Sequence, residues 1–132
     1  MELPWLSRLQ PQLLAILRIV TGLLFLEHGL SKFFAFPVPF PVQPLPPLLI
    51  AAGLIECVAG VLVTLGLFTR LAAFIAAGEM AVAYWMTHFP QGFWPVANRG
   101  EAAILFCFVV LYIAGAGAGA WSVDGMRTKP IR

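Results

Sequence analysis

The stretch from Arg18 to Lys32, which reads RIVTGLLFLEHGLSK, places ionisable side chains inside an otherwise continuous apolar run. Glu27 and His28 lie between the two basic residues. An ionisable side chain that faces hydrocarbon near the centre of a bilayer costs about 2.5–3.5 kcal/mol, so such groups turn toward protein partners or a water-filled cavity. A histidine beside a carboxylate can also move protons near neutral pH. The stretch therefore predicts a covered helix with a polar, proton-handling face.

Each of the three later apolar segments contains one carboxylate. These carboxylates are the expected partners of the basic residues on the polar face of the first helix. The three are Glu56, Glu79 and Glu101. If both termini are cytoplasmic, most of these groups fall in the outer half of the protein, and we expect a polar pocket that opens outward and closes toward the bilayer centre. The candidate residues for ligand binding or proton handling are Glu27, His28, Lys32, Glu56, Glu79 and His88.

A purely structural role is the alternative for these charges, because buried ion pairs can fix the register of packed helices. Asn98 and Glu101, three residues apart, match a capping pattern, and a carboxylate is favoured at the positive end of a helix. Asp124 is expected to be a cap or an interfacial charge. The candidates for structural ion pairs or caps are Arg18, Arg70, Asn98, Arg99 and Glu101.

The composition predicts a membrane protein without a soluble domain. Of 132 residues, 61% are hydrophobic and 11% charged, and the mean hydropathy is +0.91, which is too apolar for a soluble domain. A helix needs about 20 residues to cross the hydrocarbon core. Four windows are candidates, at roughly 11–36, 47–68, 70–87 and 100–120. The expected fold is all-α, a single transmembrane domain over 1–132 built as an antiparallel four-helix bundle.

The positive side chains predict the orientation of this bundle. One side carries Arg8, Arg70, Arg127, Lys129 and Arg132, and the other carries Lys32 and Arg99. Basic residues favour the cytoplasmic side, so both termini are expected there.

Because Arg18 interrupts the first apolar run and no A-x-A-like site follows it, we interpret this run as an uncleaved helix. A net charge of +2 does not suggest nucleic acid as a partner.

Glycines and prolines predict how the helices are packed and joined. Gly53, Gly60 and Thr64 lie at helical spacing around Glu56, and small residues let membrane helices approach closely, so this stripe should face another helix. The connection 36–47 contains six prolines, which favours an extended segment. Its apolar character predicts that it lies along the outer membrane surface or folds over the mouth of the bundle as a cap.

The sequence lacks the motifs of several common catalytic and metal-binding sites. The chain contains no CxxC, HExxH, GxSxG or glycine-rich phosphate loop. The Glu-x-x-His spacing of di-iron bundles is absent as well, so no metal site is predicted. Haem ligation by His28 and His88 is conceivable in geometry but is not favoured. Cys57 and Cys107 fall within predicted spans, where we interpret them as small buried apolar residues.

Four segments carry a family resemblance: RIVTGLLFLEHGLSKFF, GLIECVAGVLVTLGLFTRLAA, GEMAVAYWMTHFPQGFWP and NRGEAAILFCFVVLYIAGAGAGAWSVD. Together they cover nearly the whole chain, from about Leu14 to Asp124, and in combination they resemble the DoxX family of bacterial membrane proteins. The resemblance implies a multi-pass, four-helix protein of the bacterial inner membrane. That family takes its name from a subunit associated with thiosulfate:quinone oxidoreductase, and other members are linked to quinone, catechol, thiol and oxidative stress.

The resemblance implies a membrane subunit of a redox or oxidative-stress system, with a quinone-like or small aromatic ligand in the outward pocket. A quinone fits the residues, because an apolar slot receives its ring while His28, Lys32 or a protonated Glu bonds an oxygen and supplies protons. Electrons would come from a partner protein, since the chain offers no convincing redox centre. Besides the lipid bilayer, such a redox partner and a second copy of the chain are the partners considered.

Two other functions remain open from the sequence. The first is a non-enzymatic accessory or assembly subunit, which would bind a larger membrane complex through its glycine and alanine faces and use its buried charges structurally. The second is a proton-coupled carrier of a small molecule, for which four helices are few unless the protein dimerises. Neither the ligand nor any catalytic residue follows from the sequence.

Overall fold

The computed structural model describes residues 1–127, and this part of the chain is wholly helical, with no β-strand. The predictions made on Lys129 and Arg132 lie outside the described residues. The helices are α1 (Pro4–Ser7), α2 (Gln10–Phe34), α3 (Pro47–Leu65), α4 (Thr69–Ala83), α5 (Pro95–Asn98), α6 (Glu101–Ala116) and α7 (Val123–Arg127). A π-helical turn, Tyr84–His88, continues α4 and leads into a 3₁₀ turn at Phe89–Gln91.

Helices α2 and α3 form the most extensive helix pair, and α4 and α6 form the second. The α2–α3 seam contains four buried glycines: Gly22, Gly29, Gly53 and Gly60. A Cβ atom at Gly60 would lie 2.8 Å from the Leu26 backbone, and one at Gly29 would lie 2.9 Å from the Cys57 amide nitrogen. The glycine stripe predicted on α3 therefore faces α2, and the two backbones meet closely along the whole seam.

Replacing Gly60 by alanine should destabilise the protein by about 1–3 kcal/mol, because the new methyl group has no room against the Leu26 backbone. Gly78 is the matched control, since a Cβ there meets nothing within 4 Å and alanine improves helix propensity. Thermal unfolding in detergent should show Gly60→Ala below the wild type and Gly78→Ala at or above it. Equal melting temperatures for the two variants would contradict the close seam.

The α4–α6 pair is built on an alanine face. Ala72, Ala73, Ala76 and Ala77 are buried at helical spacing on α4, together with Met80. From α6, the side chains of Ala103, Val110 and Ile113 are buried in the same core, to which α2 contributes Phe25 and α3 contributes Ala59 and Val63. Small residues on α4 thus allow α3 and α6 to pack against it from two sides.

Much of the outer surface is apolar, as membrane helices require. Leu54 of α3, Phe74 of α4 and Phe108 of α6 are each more than half exposed. By length and composition, α2 and α3 are able to cross a membrane, and α6 is a shorter apolar helix. Such broad apolar exposure is untypical of a monomeric soluble protein. The four predicted windows coincide approximately with α2, α3, α4 with its π-helical turn, and α6.

The fourth predicted window is too long at its carboxyl end. The sequence predicts a helix that continues through the alternating glycines and alanines to Ala120, but α6 ends at Ala116. Gly117 and Gly119 adopt positive φ angles of 90° and 72°, which glycine permits at little cost. The segment after Ala116 consequently leaves the helix and turns back across the molecule, where its carbonyl groups are free to accept hydrogen bonds.

Candidate functional site

A buried ion pair between Lys32 and Glu56 lies at the centre of the candidate site. Lys32 sits near the carboxyl end of α2 and Glu56 in the middle of α3. The Lys32 ammonium donates to both oxygens of the Glu56 carboxylate, with Nζ 3.0 Å from Oε1 and 2.8 Å from Oε2. Glu56 is 2% exposed and Lys32 is 8% exposed. Among residues 1–127 this is the one salt bridge, so the predicted convergence of these two residues is seen directly.

A second carboxyl group, that of Glu79 on α4, completes the cluster. It interacts electrostatically with the Glu56 carboxylate and with the Lys32 ammonium. Its Oε2 atom is buried and has no hydrogen-bond partner among the described residues. Three helices therefore bring two carboxyl groups and one ammonium group together inside the protein. We refer to Lys32, Glu56 and Glu79 as the charged cluster.

The proline-rich connection closes over the charged cluster. The ring of Phe40 lies with its centroid 4.7 Å from Lys32 Nζ, a cation–π contact. The segment is tied back to α2 at two points: the Ser31 hydroxyl donates to the Val38 carbonyl at 2.7 Å, and the Gln43 amide donates to the Lys32 carbonyl at 3.4 Å. These contacts favour the predicted cap over the end of the bundle, while the placement of the connection along the outer membrane surface stays a prediction. Phe40 itself was not among the predicted site residues.

Two predicted members of the pocket lie outside the cluster. His28 is exposed, its Nδ1 lies 2.8 Å from the Leu24 carbonyl of its own helix, and its ring meets Phe106 edge-on at 5.7 Å. Glu27 is half-buried and forms no hydrogen bond or ion pair within residues 1–127. Arg18 and Lys32 lie on the buried face of α2 together with Thr21 and Phe25, whereas His28 is not buried there.

His88 belongs to a separate polar network at the end of α4. Its Nδ1 lies 3.1 Å from the Asn98 carbonyl, and its ring stacks on Tyr84 at 6.4 Å. The buried Asn98 carboxamide donates to the Gly92 carbonyl at 2.8 Å and to the Tyr84 hydroxyl at 3.3 Å. This network orders the connection between α4 and α6. His88 therefore has satisfied local partners, whereas its predicted role was in the pocket.

The predicted capping box of Asn98 and Glu101 is not formed. Gly100 occupies the N-cap position of α6, and no side chain caps that helix end. Asn98 ends α5 instead, and its Oδ1 accepts a hydrogen bond from the Gly100 N–H at 2.8 Å. Arg99 follows in a left-handed conformation with φ of 61° and is exposed, as is Glu101. The tight turn at Arg99 shifts the helix start past the residue expected to cap it.

Arg18 is fully buried, yet it does not form the predicted ion pair. Its guanidinium instead donates to five backbone carbonyl groups. From Nη1 the bonds reach Val63 and Thr64 at 3.0 and 2.7 Å, near the end of α3. The remaining bonds go to the segment after α6, from Nε to Ala118 at 2.8 Å and from Nη2 to Ala120 and Trp121 at 3.1 and 2.8 Å.

Asp124 and Arg70 also form contacts at the end of the molecule where Arg18 lies. We refer to residues 117–127, which follow α6, as the tail. The Asp124 carboxylate accepts hydrogen bonds from the Phe68 and Thr69 N–H groups, each at 2.9 Å, and so caps α4 from 55 residues away. The Arg70 guanidinium donates to the carbonyls of Ala114 and Gly115 at the end of α6. The predicted cap at Asp124 is confirmed, and Arg70 acts as a cap as well. Thr69 is the first residue of α4.

The Asp124 cap should make stability depend on pH. Partial burial raises the pKa of Asp124, but hydrogen bonds from Thr69 and Phe68 and the nearby Arg127 outweigh burial, so the pKa lies below its usual value. A carboxyl group whose pKa is lowered by folding stabilises the protein above its unfolded pKa of about 3.9 and loses this contribution as pH falls through the lower folded value.

We therefore expect Asp124→Asn to melt at a lower temperature than the wild type at pH 7, with a cap loss of about 1 kcal/mol. The gap between the two proteins should close as the pH falls below 4. Thermal unfolding in detergent across this pH range measures it, with Glu101→Gln as an exposed carboxylate control. A gap that does not change with pH would contradict a charge-dependent cap.

The described residues contain no group of three or more histidine, cysteine, aspartate or glutamate side chains able to hold a metal ion. Cys57 and Cys107 are both free and half-buried. The side chains of the charged cluster are groups that can form hydrogen bonds and exchange protons. Lys32 supplies donors, Glu56 supplies a paired carboxylate, and Glu79 supplies a carboxyl oxygen that has no partner among the described residues.

A buried charged cluster inside helices whose outer surfaces are apolar defines a helical membrane protein. The DoxX family model matches residues 13–89, more than half of the chain. The protein belongs to the DoxX family, as its sequence resemblance indicated.

Two relatives were found with significant similarity to the chain. A protein from Haemophilus influenzae described as uncharacterized is 44% identical over 130 residues, which cover 94% of this chain and 97% of the relative. An uncharacterized membrane protein of Mycobacterium tuberculosis is 29% identical over 136 residues, which cover 90% of this chain and 83% of the relative. No solved structure matches the chain significantly.

Proposed function

We propose that the protein is a four-pass component of the bacterial inner membrane, with α2, α3, α4 and α6 as an antiparallel bundle and both termini in the cytoplasm. Contacts at one end support this arrangement: the Ala120 N–H donates to the Pro11 carbonyl at 3.1 Å, and the Asp124 N–H donates to the Gly66 carbonyl at 2.8 Å. The start of α2, the α3–α4 turn and the tail thus lie together, on the side where basic residues favour the cytoplasm.

We further propose that this protein is the membrane subunit of a redox or oxidative-stress system and that the charged cluster exchanges protons with a quinone-like or small aromatic ligand. The observation that carries the proposal is the excess of carboxyl groups in a buried site. Glu56 and Glu79 share one ammonium group, Lys32. Two like charges at close range in a poorly solvated interior are not both ionised, so one carboxyl group holds a proton that it can exchange.

The unpartnered oxygen of Glu79 is the position where the cluster accepts a ligand. A buried polar atom without a partner costs about 1–3 kcal/mol, which a hydrogen bond to a ligand oxygen recovers when the carboxyl group is protonated. Phe40 adds an aromatic surface above Lys32 on the outer side. A quinone takes up protons together with electrons when it is reduced. Lys32 and Glu79 are suited to orient such an oxygen and supply the proton, while electrons come from a partner protein.

Binding of a short-chain benzoquinone to the purified protein in lipid nanodiscs tests this proposal. Isothermal titration calorimetry should show binding to the wild type that is at least about tenfold weaker in Glu79→Gln, because one buried hydrogen bond is worth about 1.4 kcal/mol. Glu101→Gln, which changes an exposed carboxylate, is the matched control. Infrared difference spectra should show a protonated-carboxyl band that Glu79→Gln removes.

Equal quinone affinity in the wild type and in Glu79→Gln would reject the ligand site, as would the absence of any binding. The alternative would then be an accessory subunit that binds a larger membrane complex through its helix faces. The space at two glycines on the outside of the bundle favours this second function. A Cβ atom at Gly78 on α4 or at Gly115 on α6 would meet nothing within 4 Å, whereas the glycines of α2 and α3 are already buried inside the chain. The helix glycines that remain accessible for close contact with another membrane protein are therefore those of α4 and α6.

A further inference from the structure

A groove at the opposite end from the proline-rich connection is unrelated to the charged cluster. It has a volume of about 670 Å³ and lies where α4 begins and α6 ends. Two arginines, Arg70 and Arg127, line it, and both are exposed. Phe68 and Leu71, which are 56% and 64% exposed, supply apolar surface in the same groove. The groove therefore combines guanidinium groups with an apolar border.

Arg70 is held in one orientation by the end of α6. Its Nη1 donates to the carbonyls of Ala114 and Gly115, while its Nε and Nη2 have no hydrogen-bond partner among residues 1–127. Gly117 passes directly beside the guanidinium, and a Cβ there would lie 3.1 Å from Nη2. The carbonyl contacts hold Nη1 in place, and the lack of a side chain at Gly117 leaves space beside Nη2. The Arg70 guanidinium therefore lines the groove in a fixed orientation, with N–H groups on Nε and Nη2 that can bind a ligand.

Arg127 approaches the groove from the tail. Its guanidinium carbon lies 5.2 Å from the centroid of the Phe68 ring, a cation–π contact that holds the side chain over α4. Like Arg70, it is therefore positioned before any ligand arrives. Two positioned guanidinium groups bind phosphate oxygens well, because each presents planar pairs of N–H donors and remains charged at all physiological pH values.

The charge in this region remains positive despite Asp124, which also lines the groove. The Asp124 carboxylate caps α4 through the Phe68 and Thr69 N–H groups. It also interacts electrostatically with the buried Arg18 and with Arg127. Since one carboxylate stands against three guanidinium groups, an anion entering the groove meets net positive charge.

We propose that this groove binds the phosphate of an anionic phospholipid head group, with Arg70 and Arg127 as its donors. The apolar border at Phe68 and Leu71 favours a lipid over free phosphate, because acyl chains can cover these exposed side chains while the head group stays at the guanidinium groups. Basic pockets between membrane helices on the cytoplasmic side are suited to such head groups. This inference does not depend on the proposed quinone site.

Native mass spectrometry of the detergent-solubilised full chain, titrated with phosphatidylglycerol or with phosphatidylcholine, tests the proposal. The wild type should retain phosphatidylglycerol in preference to phosphatidylcholine. Arg70→Gln and Arg127→Gln should each weaken that retention by about fivefold, the effect of one basic residue near an anionic lipid. Arg99→Gln, an exposed arginine before α6, is the matched control and should retain the lipid as the wild type does.

Any one of four results would overturn the proposal. Three of them are equal retention of the two lipids by the wild type, an equal loss in Arg99→Gln, and displacement of phosphatidylglycerol by millimolar inorganic phosphate, which would show a free-phosphate site. Because Arg70 also contacts the end of α6, a loss in Arg70→Gln alone has a structural explanation as well. Within residues 1–127, Arg127 meets the Phe68 ring and the Asp124 charge, and neither of these residues lies on α6. The fourth result is therefore an unchanged lipid affinity in Arg127→Gln, which would overturn the proposal by itself.

Discussion

Replacing Lys32 by methionine is expected to destabilise the protein by about 3–5 kcal/mol, the cost of removing one partner from a buried ion pair. The reason is the position of Glu56, which is 2% exposed and accepts both of its close hydrogen bonds from Lys32. Without the ammonium group, the buried Glu56 carboxylate and the half-buried Glu79 remain together with no compensating charge. Unfolding in mixed micelles of increasing sodium dodecyl sulfate fraction, followed by circular dichroism, measures the loss.

The double variant Lys32→Met/Glu56→Gln distinguishes the cost of an uncompensated buried charge from the cost of altered packing. It should be markedly more stable than Lys32→Met alone, because the uncompensated carboxylate is gone and replacing both members of a buried pair is often close to neutral. Arg99→Met, which removes an exposed cation, should change stability by about 0.5 kcal/mol or less. If Lys32→Met and Arg99→Met behave alike, the pair is not buried in the folded protein and the charged cluster loses its basis.

Replacing Arg18 by methionine is expected to cost about 3–6 kcal/mol, because it removes the donors of five backbone carbonyls at once. Carbonyl groups that stay buried without a donor cost about 1–3 kcal/mol each, although some regain a partner when the tail moves. Arg18→Lys should fall between the wild type and Arg18→Met, since an ammonium group has three donors and cannot span the same carbonyls.

Limited proteolysis distinguishes this role of Arg18 from a general loss of stability. Because three of the five carbonyls belong to the tail, Arg18→Met should be cleaved near residues 118–121 faster than the wild type under conditions where both remain folded. Arg8→Met changes an exposed arginine and serves as the control. Cleavage at the same rate in Arg18→Met and the wild type would show that Arg18 does not hold the tail.

The sequence predicted the helices well because strong apolar runs and prolines mark them. Pro11 and Pro47 lie at the starts of α2 and α3, and the glycines that were expected to face a neighbouring helix do so. The buried face of α2 was also predictable, since Arg18, Phe25 and Lys32 follow one another at seven-residue intervals, close to two helical turns. Periodicity captures such features because they depend only on the local helix geometry.

The errors arise where distant parts of the chain meet. The sequence suggests a carboxylate for Arg18, but its partners are carbonyl groups at the end of α3 and in the segment after α6. That segment leaves the helix where Gly117 and Gly119 adopt positive φ angles. His28 was predicted to line the same pocket as Lys32, yet its imidazole is exposed and its ring contact is with the edge of Phe106 on α6. The role of Phe40 depends on the path of a proline-rich connection, which helical periodicity does not describe.

The contacts of Arg18 also bear on the order in which the chain is assembled during synthesis. Chains emerge from the ribosome amino end first, so α2 enters the membrane long before Ala118, Ala120 and Trp121 are made. Until then, most of the guanidinium donors must be satisfied by water, lipid phosphates or an insertion factor. Residues translated late therefore complete the contacts of the first long helix, and chains that terminate before Ala118 would lack three of the five carbonyl partners of Arg18.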